Sequence, residues 1–252
     1  MCLVHLRNNN WTVLESQAKT MLTRANNSNQ LNHKAYFYFG VSMYKQQKYS
    51  LSILAFNKAE AFKPNDAQLQ YNLGLANFKI EMYSQAVEHI KKCIELDPKH
   101  PYAYLNLAFL YNMHQIYKET ITTCKQAKEH NRHGHGTQRH WAFAEFKEGN
   151  LVKAIKKIRK GVQKDPKCAE NWVVWGLIMR TGGKYLSAEH KYKRALKIDP
   201  NHVTAKFELD LVSSLIYFDK ALPTDSTLNI QESISLLDKI ETEEDLNMKE
   251  NQ

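Results

Sequence analysis

Three groups of side chains in this sequence have types and spacings that could do chemistry: clustered histidines, a run of lysines and arginines, and aromatic rings interleaved with asparagine amides. Histidine clusters can bind zinc or copper. Dense cations attract acidic partners through the field around a protein. Aromatic rings offer a large contact area at low entropic cost, and they dominate binding energetics. The groups therefore point to metal binding, anion binding or recognition of another chain.

The histidines share one short stretch with two glycines: His130, His133, His135 and His140, with Gly134 and Gly136. A structural zinc site takes four ordered ligands and usually includes cysteine. Paired glycines instead favour a loose junction between elements. We therefore expect neither a metal nor a cofactor.

Catalytic motifs are missing from the sequence, which has no glycine-rich phosphate loop, no nucleophile elbow and no HExxH motif. Its carboxylates are scattered, without a predicted cleft that would tune their pKa values. We expect that the protein is not an enzyme.

A proline period indicates how the remaining groups are positioned. Pro64, Pro98, Pro166 and Pro200 are separated by 34, 68 and 34 residues. A fixed period of 34 predicts stacked copies of one supersecondary unit. We take the units as 33–66, 67–100, 101–134, 135–168 and 169–202.

Positions counted from the start of each unit keep their character. The eighth position is always small: Gly40, Gly74, Ala108, Ala142 and Gly176. The twenty-fourth is occupied by Phe56, Ile90, Cys124, Ile158 and Tyr192. Two helices can approach closely only where a small side chain meets a larger one. Cys93 and Cys124 lie at such core positions, so we read them as small buried hydrophobes rather than disulfide partners.

Each unit is predicted to contain two helices, because its apolar residues fall three and four apart. The first helix runs to about the thirteenth position, and the second starts near the seventeenth and ends before the proline. In Asp97-Pro98, Asp165-Pro166 and Asp199-Pro200 we expect the aspartate to accept hydrogen bonds from free amides of the next helix.

The pattern resembles the tetratricopeptide repeat family, whose 34-residue helix–turn–helix units have small residues at positions eight, twenty and twenty-seven. The resemblance covers residues 33–202. It implies an all-α fold, a right-handed superhelical solenoid of 34-residue helix-turn-helix repeats.

The resemblance also implies a concave face formed by the first helices, where partners bind. The candidate partner-binding residues carried over to this face are Phe37, Tyr38, Tyr71, Asn72, Leu75, Tyr102, Asn106, Phe109, Arg139, His140 and Phe143. Asn72 and Asn106 share the sixth position, where an amide can grip a peptide backbone. The alternative is that some of these rings only pack between neighbouring helices.

The second helices line the outer face in this family, and a basic stripe is predicted there. Its members are Lys153, Lys156, Lys157, Lys160, Lys191 and Arg194. The net charge is +9, but the stretch from Glu232 to Gln252 carries −5, so the remainder carries +14. The stripe is either an ordinary solvated face or a contact for an acidic protein partner. Nucleic acid is disfavoured, because no RNA motif or recognition module is present.

One branch of the family clamps the C-terminal carboxylate of heat-shock chaperones with lysine and asparagine at positions five and nine. Here those positions hold Phe37 and Val41 in the first unit and Tyr71 and Leu75 in the second. We therefore predict that this protein is not a chaperone carboxylate clamp.

The two ends depart from the pattern. Residues 1–32 are predicted to be a degenerate N-terminal repeat or cap, with a helical stripe from Trp11 to Ala25. Residues 203–240 are predicted to form a divergent sixth repeat or capping helices, in which 203–219 is apolar on two faces and 228–240 could cover one of them. Residues 241–252 are acidic, and we expect them to be disordered.

These observations predict a non-enzymatic scaffold or adaptor that holds an acidic or apolar segment of a protein partner in the concave groove. The alternative is a structural subunit embedded in a large intracellular assembly, such as a ciliary, organellar or RNA-processing complex. Only four cysteines and no long apolar run occur, which favours an intracellular, by default cytoplasmic, protein without a transmembrane segment.

Overall fold

Residues 10–25, 28–130 and 134–221 are described by the computed structural model, without the side chains of residues 135 and 218–221. These residues form twelve helices and no strand. The helices are α1 (Trp11–Arg24), α2 (Asn29–Lys45), α3 (Tyr49–Phe62), α4 (Ala67–Lys79), α5 (Tyr83–Leu96), α6 (Ala103–Met113), α7 (Tyr117–Glu129), α8 (His135–Lys147), α9 (Leu151–Lys164), α10 (Ala169–Thr181), α11 (Tyr185–Ile198) and α12 (Val203–Ala221). The predicted all-α fold of paired helices is confirmed.

The chain divides into two compact units, Met1–Leu110 with Glu129–Arg132 and Tyr111–Lys128 with His133–Gln252. In the first unit each helix from α1 to α4 packs against the next one, and α2 also contacts α4. In the second unit the same holds from α8 to α11, and α10 contacts both α8 and α12. The first helices of successive repeats therefore lie side by side within each unit.

The contact between the two helices of a pair depends on the small residue at position eight. A Cβ atom placed on Gly74 would lie 2.6 Å from Ile90 Cγ1, and one on Gly40 would lie 2.5 Å from the Phe56 ring. The residues at positions eight and twenty-four are buried in all five repeats. The two positions that were predicted to form the close helix contact are therefore buried together in every repeat.

The turn within each pair contains a residue with left-handed backbone geometry. These residues, all 34 apart, are Gln47, Glu81, Gln115, Gly149 and Gly183, with φ between 61° and 80°. The next amide bonds back to the end of the first helix, as in the 2.9 Å bond from Lys48 N to Met43 O. This geometry is the Schellman motif, which satisfies free carbonyls at a helix end.

The turn between repeats differs from the prediction. Asp97 Oδ1 accepts from Lys99 N at 2.9 Å, and Asp165 Oδ1 accepts from Lys167 N at 3.1 Å. Both amides belong to the turn rather than to the next helix, because an aspartate side chain readily bonds the backbone two residues on. Among the aspartates between repeats, Asp66 does cap the next helix, because its Oδ1 accepts a hydrogen bond from Leu69 N at 3.1 Å.

The first helix of the described residues is α1, which matches the predicted stripe. Helix α2 starts at Asn29, four residues before the first unit. Ser28 caps α2 by accepting a hydrogen bond from Leu31 N. At the other end, the predicted helical stripe at 228–240 and the acidic tail at 241–252 lie outside the described residues. The sixth repeat stays a prediction.

We expect Gly74→Leu to lower the free energy of unfolding by about 1–3 kcal/mol or more, because the new side chain must displace Ile90 and the Ala86 carbonyl. Thermal or urea unfolding measures the change. Gly134→Leu is the control, since no atom lies within 4 Å of a Cβ there. Equal stabilities of the two variants would contradict the close helix contact.

Candidate partner-binding surface

The first unit contains a cavity of about 300 Å3 between α2, α4 and the turn before α6. Its apolar walls include Val41, Phe56, Leu75, Pro101 and Tyr102. Its polar side chains include Lys45, Gln68, Tyr71, Asn72 and His100. Four predicted site residues, Tyr71, Asn72, Leu75 and Tyr102, are thereby brought together at one cavity.

Tyr71 is the polar centre of this cavity. Its ring lies 4.4 Å from the His100 ring, centroid to centroid, and its hydroxyl accepts a 2.8 Å hydrogen bond from Asn106 Nδ2. Burial raises the pKa of Tyr71 to about 12, although the bond from Asn106 acts in the opposite direction. The hydroxyl therefore keeps its proton at neutral pH. Because Asn106 is the donor in their bond, that proton remains available to a ligand.

The two asparagines at the sixth position are not equivalent. Asn106 uses its amide group to bond Tyr71. Asn72 is half-buried at the cavity wall, and its side chain makes no hydrogen bond to the part of the chain that the structure describes. Asn72 can therefore offer both a donor and an acceptor to a ligand, whereas Asn106 supports Tyr71.

The other candidate rings of the first unit lie in ring contacts. Phe37 meets Tyr38 edge to face at 5.7 Å and lies 6.0 Å from Phe56, and both candidates are half-buried. Phe109 contacts Phe78 at 5.6 Å and is 37% exposed, whereas Tyr102 is 57% exposed. Tyr102 is thus the most accessible candidate ring at the cavity edge.

Three candidates lie in the second unit, and each contacts other side chains there. Arg139 Nη1 donates to Asn171 Oδ1 at 3.4 Å. The Phe143 ring lies 6.3 Å from the Tyr117 ring. His140 is half-buried, and its backbone carbonyl accepts from Asn112 Nδ2 at 3.0 Å. Burial lowers the pKa of His140 to about 3, and the charge of Arg139 acts in the same direction.

The described histidines of the predicted cluster contact different neighbours. His130 stacks on Tyr104, whereas His140 lies beside Asn112. His133 and the side chain of His135 lie outside the described residues. Among the residues that are described, no group of three or more histidine, cysteine, aspartate or glutamate side chains could hold a metal ion.

The basic stripe contains two kinds of cation. Lys153, Lys156 and Lys160 on α9 and Arg194 on α11 are exposed, and the Arg194 guanidinium also lies 5.8 Å from the centre of the Trp172 ring. Lys157 Nζ instead lies 3.1 Å from the centre of the Trp141 ring, and Lys191 Nζ lies 4.3 Å from that of Trp175. Both lysines are thus held on tryptophan rings one repeat apart, an interaction that favours the cation.

Lys157 is subject to opposing effects on its charge. Burial, together with the nearby charges of Lys160 and Lys128, lowers the pKa of Lys157 to about 8. The face of the Trp141 ring attracts the charged form. The exposed Lys153, Lys156 and Lys160 are therefore better suited than Lys157 to meet an external anion.

Sequence reasoning missed Lys45, Phe56 and His100 as cavity residues. Phe56 was expected only in the core. His100 is the last residue of a unit, directly before Pro101, and nothing in the sequence indicates that it would stack on Tyr71.

Family profiles described as tetratricopeptide repeat match residues 67–100 and 89–122, and one described as TPR repeat matches residues 40–80. The first match has the bounds of the predicted second unit. Residues 40–122 therefore contain tetratricopeptide repeats. The matched repeats belong to a family of protein–protein interaction modules.

Two relatives illustrate the similarity in sequence. Stress-induced-phosphoprotein 1 of Caenorhabditis elegans is 25% identical over 185 residues, which cover 60% of this chain and 58% of that protein. Mitochondrial import receptor subunit TOM70 of Homo sapiens is 22% identical over 195 residues, which cover 73% of this chain and 28% of that protein. The chain thus spans 58% and 28% of the lengths of these relatives.

Two solved structures illustrate the similarity in fold. MamA from Desulfovibrio magneticus has a TM-score of 0.61 at 16% identity, over 68% of this chain and 97% of that one. YrrB, described as a TPR protein with an unusual peptide-binding site, has a TM-score of 0.61 at 17% identity, over 75% and 97%. At these identities the likeness shows the fold alone.

None of the helices in the described segments has the length and apolar character needed to cross a membrane.

Acidification should destabilise the second unit through His140. The unfolded histidine takes up a proton near pH 6.5, whereas the folded one does so only near pH 3, so between these values the unfolded state binds more protons. The contribution of neutral His140 to the free energy of unfolding is therefore fully present above pH 6.5, and it declines as the pH falls toward 3. By pH 5 we expect an extra loss on the order of 1–2 kcal/mol relative to His140→Gln.

Urea unfolding at pH 7, 6 and 5 measures this loss. His190→Gln is the matched control, because His190 is exposed on α11. A parallel loss of stability in wild type and His140→Gln, or an NMR titration of the His140 ring near pH 6.5, would contradict the lowered pKa of the folded histidine.

Proposed function

We propose that this chain is a non-enzymatic adaptor that holds a segment of a protein partner across the first helices of its first unit. One large apolar side chain of the segment enters the cavity, and the neighbouring backbone bonds Tyr71 and Asn72. The observation that carries the proposal is the pairing of uncommitted polar groups on Tyr71 and Asn72 with an apolar cavity.

The cavity matches a side chain in size and polarity. Its volume of about 300 Å3 is at the lower end of the range for small-molecule sites. Val41, Phe56 and Leu75 offer it apolar surface, and Tyr102 adds an exposed ring at the edge. Burial of an apolar group against such walls is favourable in proportion to the area removed from water.

The polar groups match a peptide backbone. An extended segment exposes one N–H and one C=O per residue, and each needs a partner when it is bound. The Tyr71 hydroxyl can donate to a carbonyl, and the Asn72 amide can both donate and accept. The bond from Asn106 orients the Tyr71 hydroxyl in advance, which reduces the entropy lost on binding.

Tetratricopeptide repeats bind other chains, and the solved structure of YrrB carries a peptide-binding site on the same fold. These findings support a peptide segment as the ligand. The proposed segment meets the protein through apolar contacts rather than through a terminal carboxylate, because Phe37, Val41, Tyr71 and Leu75 occupy the positions where a chaperone clamp has lysine and asparagine. The cavity lining does include one lysine, Lys45, whose ammonium lies 5.4 Å from the Trp11 ring centre.

The basic stripe of the second unit supports an additional contact with an acidic protein segment. Lys153, Lys156 and Lys160 are exposed and make no ion pair with the described residues. Neighbouring cations that are not neutralised raise the local concentration of acidic ligands. We propose that this surface binds acidic segments weakly and in a salt-dependent manner.

Tyr102→Ala should weaken peptide binding about 30-fold if Tyr102 is a hot spot that contributes about 2 kcal/mol. Peptides selected from a random display library on the full chain serve as ligands, and calorimetry gives Kd. Leu54→Ala is the control, because Leu54 has a similar exposure of 55% but lies on α3 outside the cavity.

Tyr71→Phe should also weaken peptide binding, because it removes only the hydroxyl that is proposed to donate to a carbonyl of the bound segment. Wild-type affinity in both Tyr102→Ala and Tyr71→Phe would move binding off the cavity and favour the embedded-subunit alternative.

Reversal of Lys153, Lys156 and Lys160 to glutamate should abolish most of the binding of a fluorescent polyglutamate peptide. Binding to the wild type should fall steeply between 50 and 500 mM salt, because exposed charges are screened within about 8 Å at physiological ionic strength. Reversal of Lys118, Lys125 and Lys128 on α7 changes the net charge equally and is the control. An equal loss of binding in both triple variants would indicate that binding depends only on net charge. Tighter binding of a single-stranded oligonucleotide than of polyglutamate would favour nucleic acid as the ligand of this surface.

A further inference from the structure

The cavity of the first unit has a positive charge beside its apolar walls. Lys45 is the last residue of α2, and it lines the cavity together with Val41 and Tyr44 of the same helix. Among the described residues that line the cavity, none is an aspartate or a glutamate. The charge that a ligand meets at this cavity is therefore that of a cation.

The Lys45 ammonium is oriented but not neutralised. It lies 5.4 Å from the centre of the Trp11 ring, and it makes no ion pair with the part of the chain that the structure describes. An ammonium group has three donors, and the face of an aromatic ring attracts its charge without using all of them. Lys45 thus presents a positioned cation with donors available to a ligand.

An acidic side chain that contacts the residue after α2 is paired with a different lysine. Glu15 of α1 accepts a hydrogen bond from Gln46 Nε2 at 3.0 Å, and its other oxygen lies 2.6 Å from Lys19 Nζ. The ion pair of Glu15 is therefore with Lys19, and the charge of Lys45 is left for an external carboxylate.

The position of the cation relative to the apolar wall sets a spacing for the ligand. Val41 and Lys45 are four residues apart on α2, so they lie on one face, about 6 Å apart along the axis. An extended chain rises about 3.3 Å per residue, and its side chains return to the same side at every second residue. In an extended segment, a side chain beside Val41 and one that reaches Lys45 are therefore two residues apart.

We propose that the first unit selects protein segments in which an aspartate or a glutamate lies two residues from the apolar anchor. The anchor enters the cavity, and the carboxylate accepts a hydrogen bond from the Lys45 ammonium. This inference rests on the proposed peptide site, and it adds the charge and the position of a second ligand group. The carboxylate belongs to a side chain within the segment, not to a chain terminus.

Peptide selection on the full chain tests the predicted spacing. The probe is a display library of short peptides with a fixed central phenylalanine as the anchor and random residues on both sides. Acidic residues should be enriched two residues from the phenylalanine, on the side that faces Lys45. The most enriched peptide is then synthesised with both ends blocked, which excludes a terminal carboxylate as the group that binds.

Exchange of the acidic residue of this peptide for its amide should weaken binding about fivefold at low salt, a size typical of a partly exposed ion pair. Lys45→Gln should weaken binding of the acidic peptide by a similar factor, and it should bind the acidic and amide peptides equally. Calorimetry gives each Kd. Lys48→Gln is the matched control, because Lys48 is exposed just after α2 but does not line the cavity. It should keep the preference for the acidic peptide.

Three results would overturn the inference, and they are distinguishable. If Tyr102→Ala weakens binding but the amide peptide and Lys45→Gln bind as tightly as their parents, the cavity holds peptides without using the cation. If Lys45→Gln and Lys48→Gln lose affinity equally, net charge selects the acidic residue. If the library yields no peptide whose binding depends on Tyr102, the proposed peptide site itself is wrong, and this inference fails with it.

Discussion

The close contact between a small residue on the first helix and a large residue on the second is the constraint on which the structure of each pair depends. At Gly40, Gly74 and Gly176 even a single additional carbon would overlap the facing side chain, which is Phe56, Ile90 or Tyr192. Since interiors are packed near the density of organic crystals, such a contact tolerates little variation. Its repetition every 34 residues keeps successive pairs in the same geometry and sets which face of each first helix remains available to a ligand.

That remaining face determines what the first unit can recognise. Tyr71 and Leu75 are four residues apart on α4, so they project in one direction toward the cavity beside α2. Their helix is held from behind by the contact at Gly74. The stacking of His100 on Tyr71 and the bond from Asn106 then hold the hydroxyl in place. A recognition site thus arises from side chains that the packing of the pair does not use.

Much of the fold could be predicted from the sequence, because size and polarity repeat with the period. Buried positions such as Gly74 and Ile90 follow from that repetition. The left-handed turn residues could not be predicted: Gly149 indicates such a turn, but Gln47 and Glu81 adopt the same geometry without that signal. The site was predictable as a set of residues on one face, but not as contacts. Whether an asparagine is free or bonded depends on side-chain positions across two helices, which spacing alone does not specify.

The most direct test of the central claim is an NMR titration that follows the side-chain amide resonances of Asn72 and Asn106 as a selected peptide is added to the full chain. The account predicts large shifts of the Asn72 amide protons and slower exchange with water, because a bound backbone would bond them. The Asn106 amide should shift less, since it remains bonded to Tyr71. Binding that shifts resonances of α3 or of the second unit, while both asparagine amides stay unchanged, would contradict the assignment of the partner-binding site to this cavity.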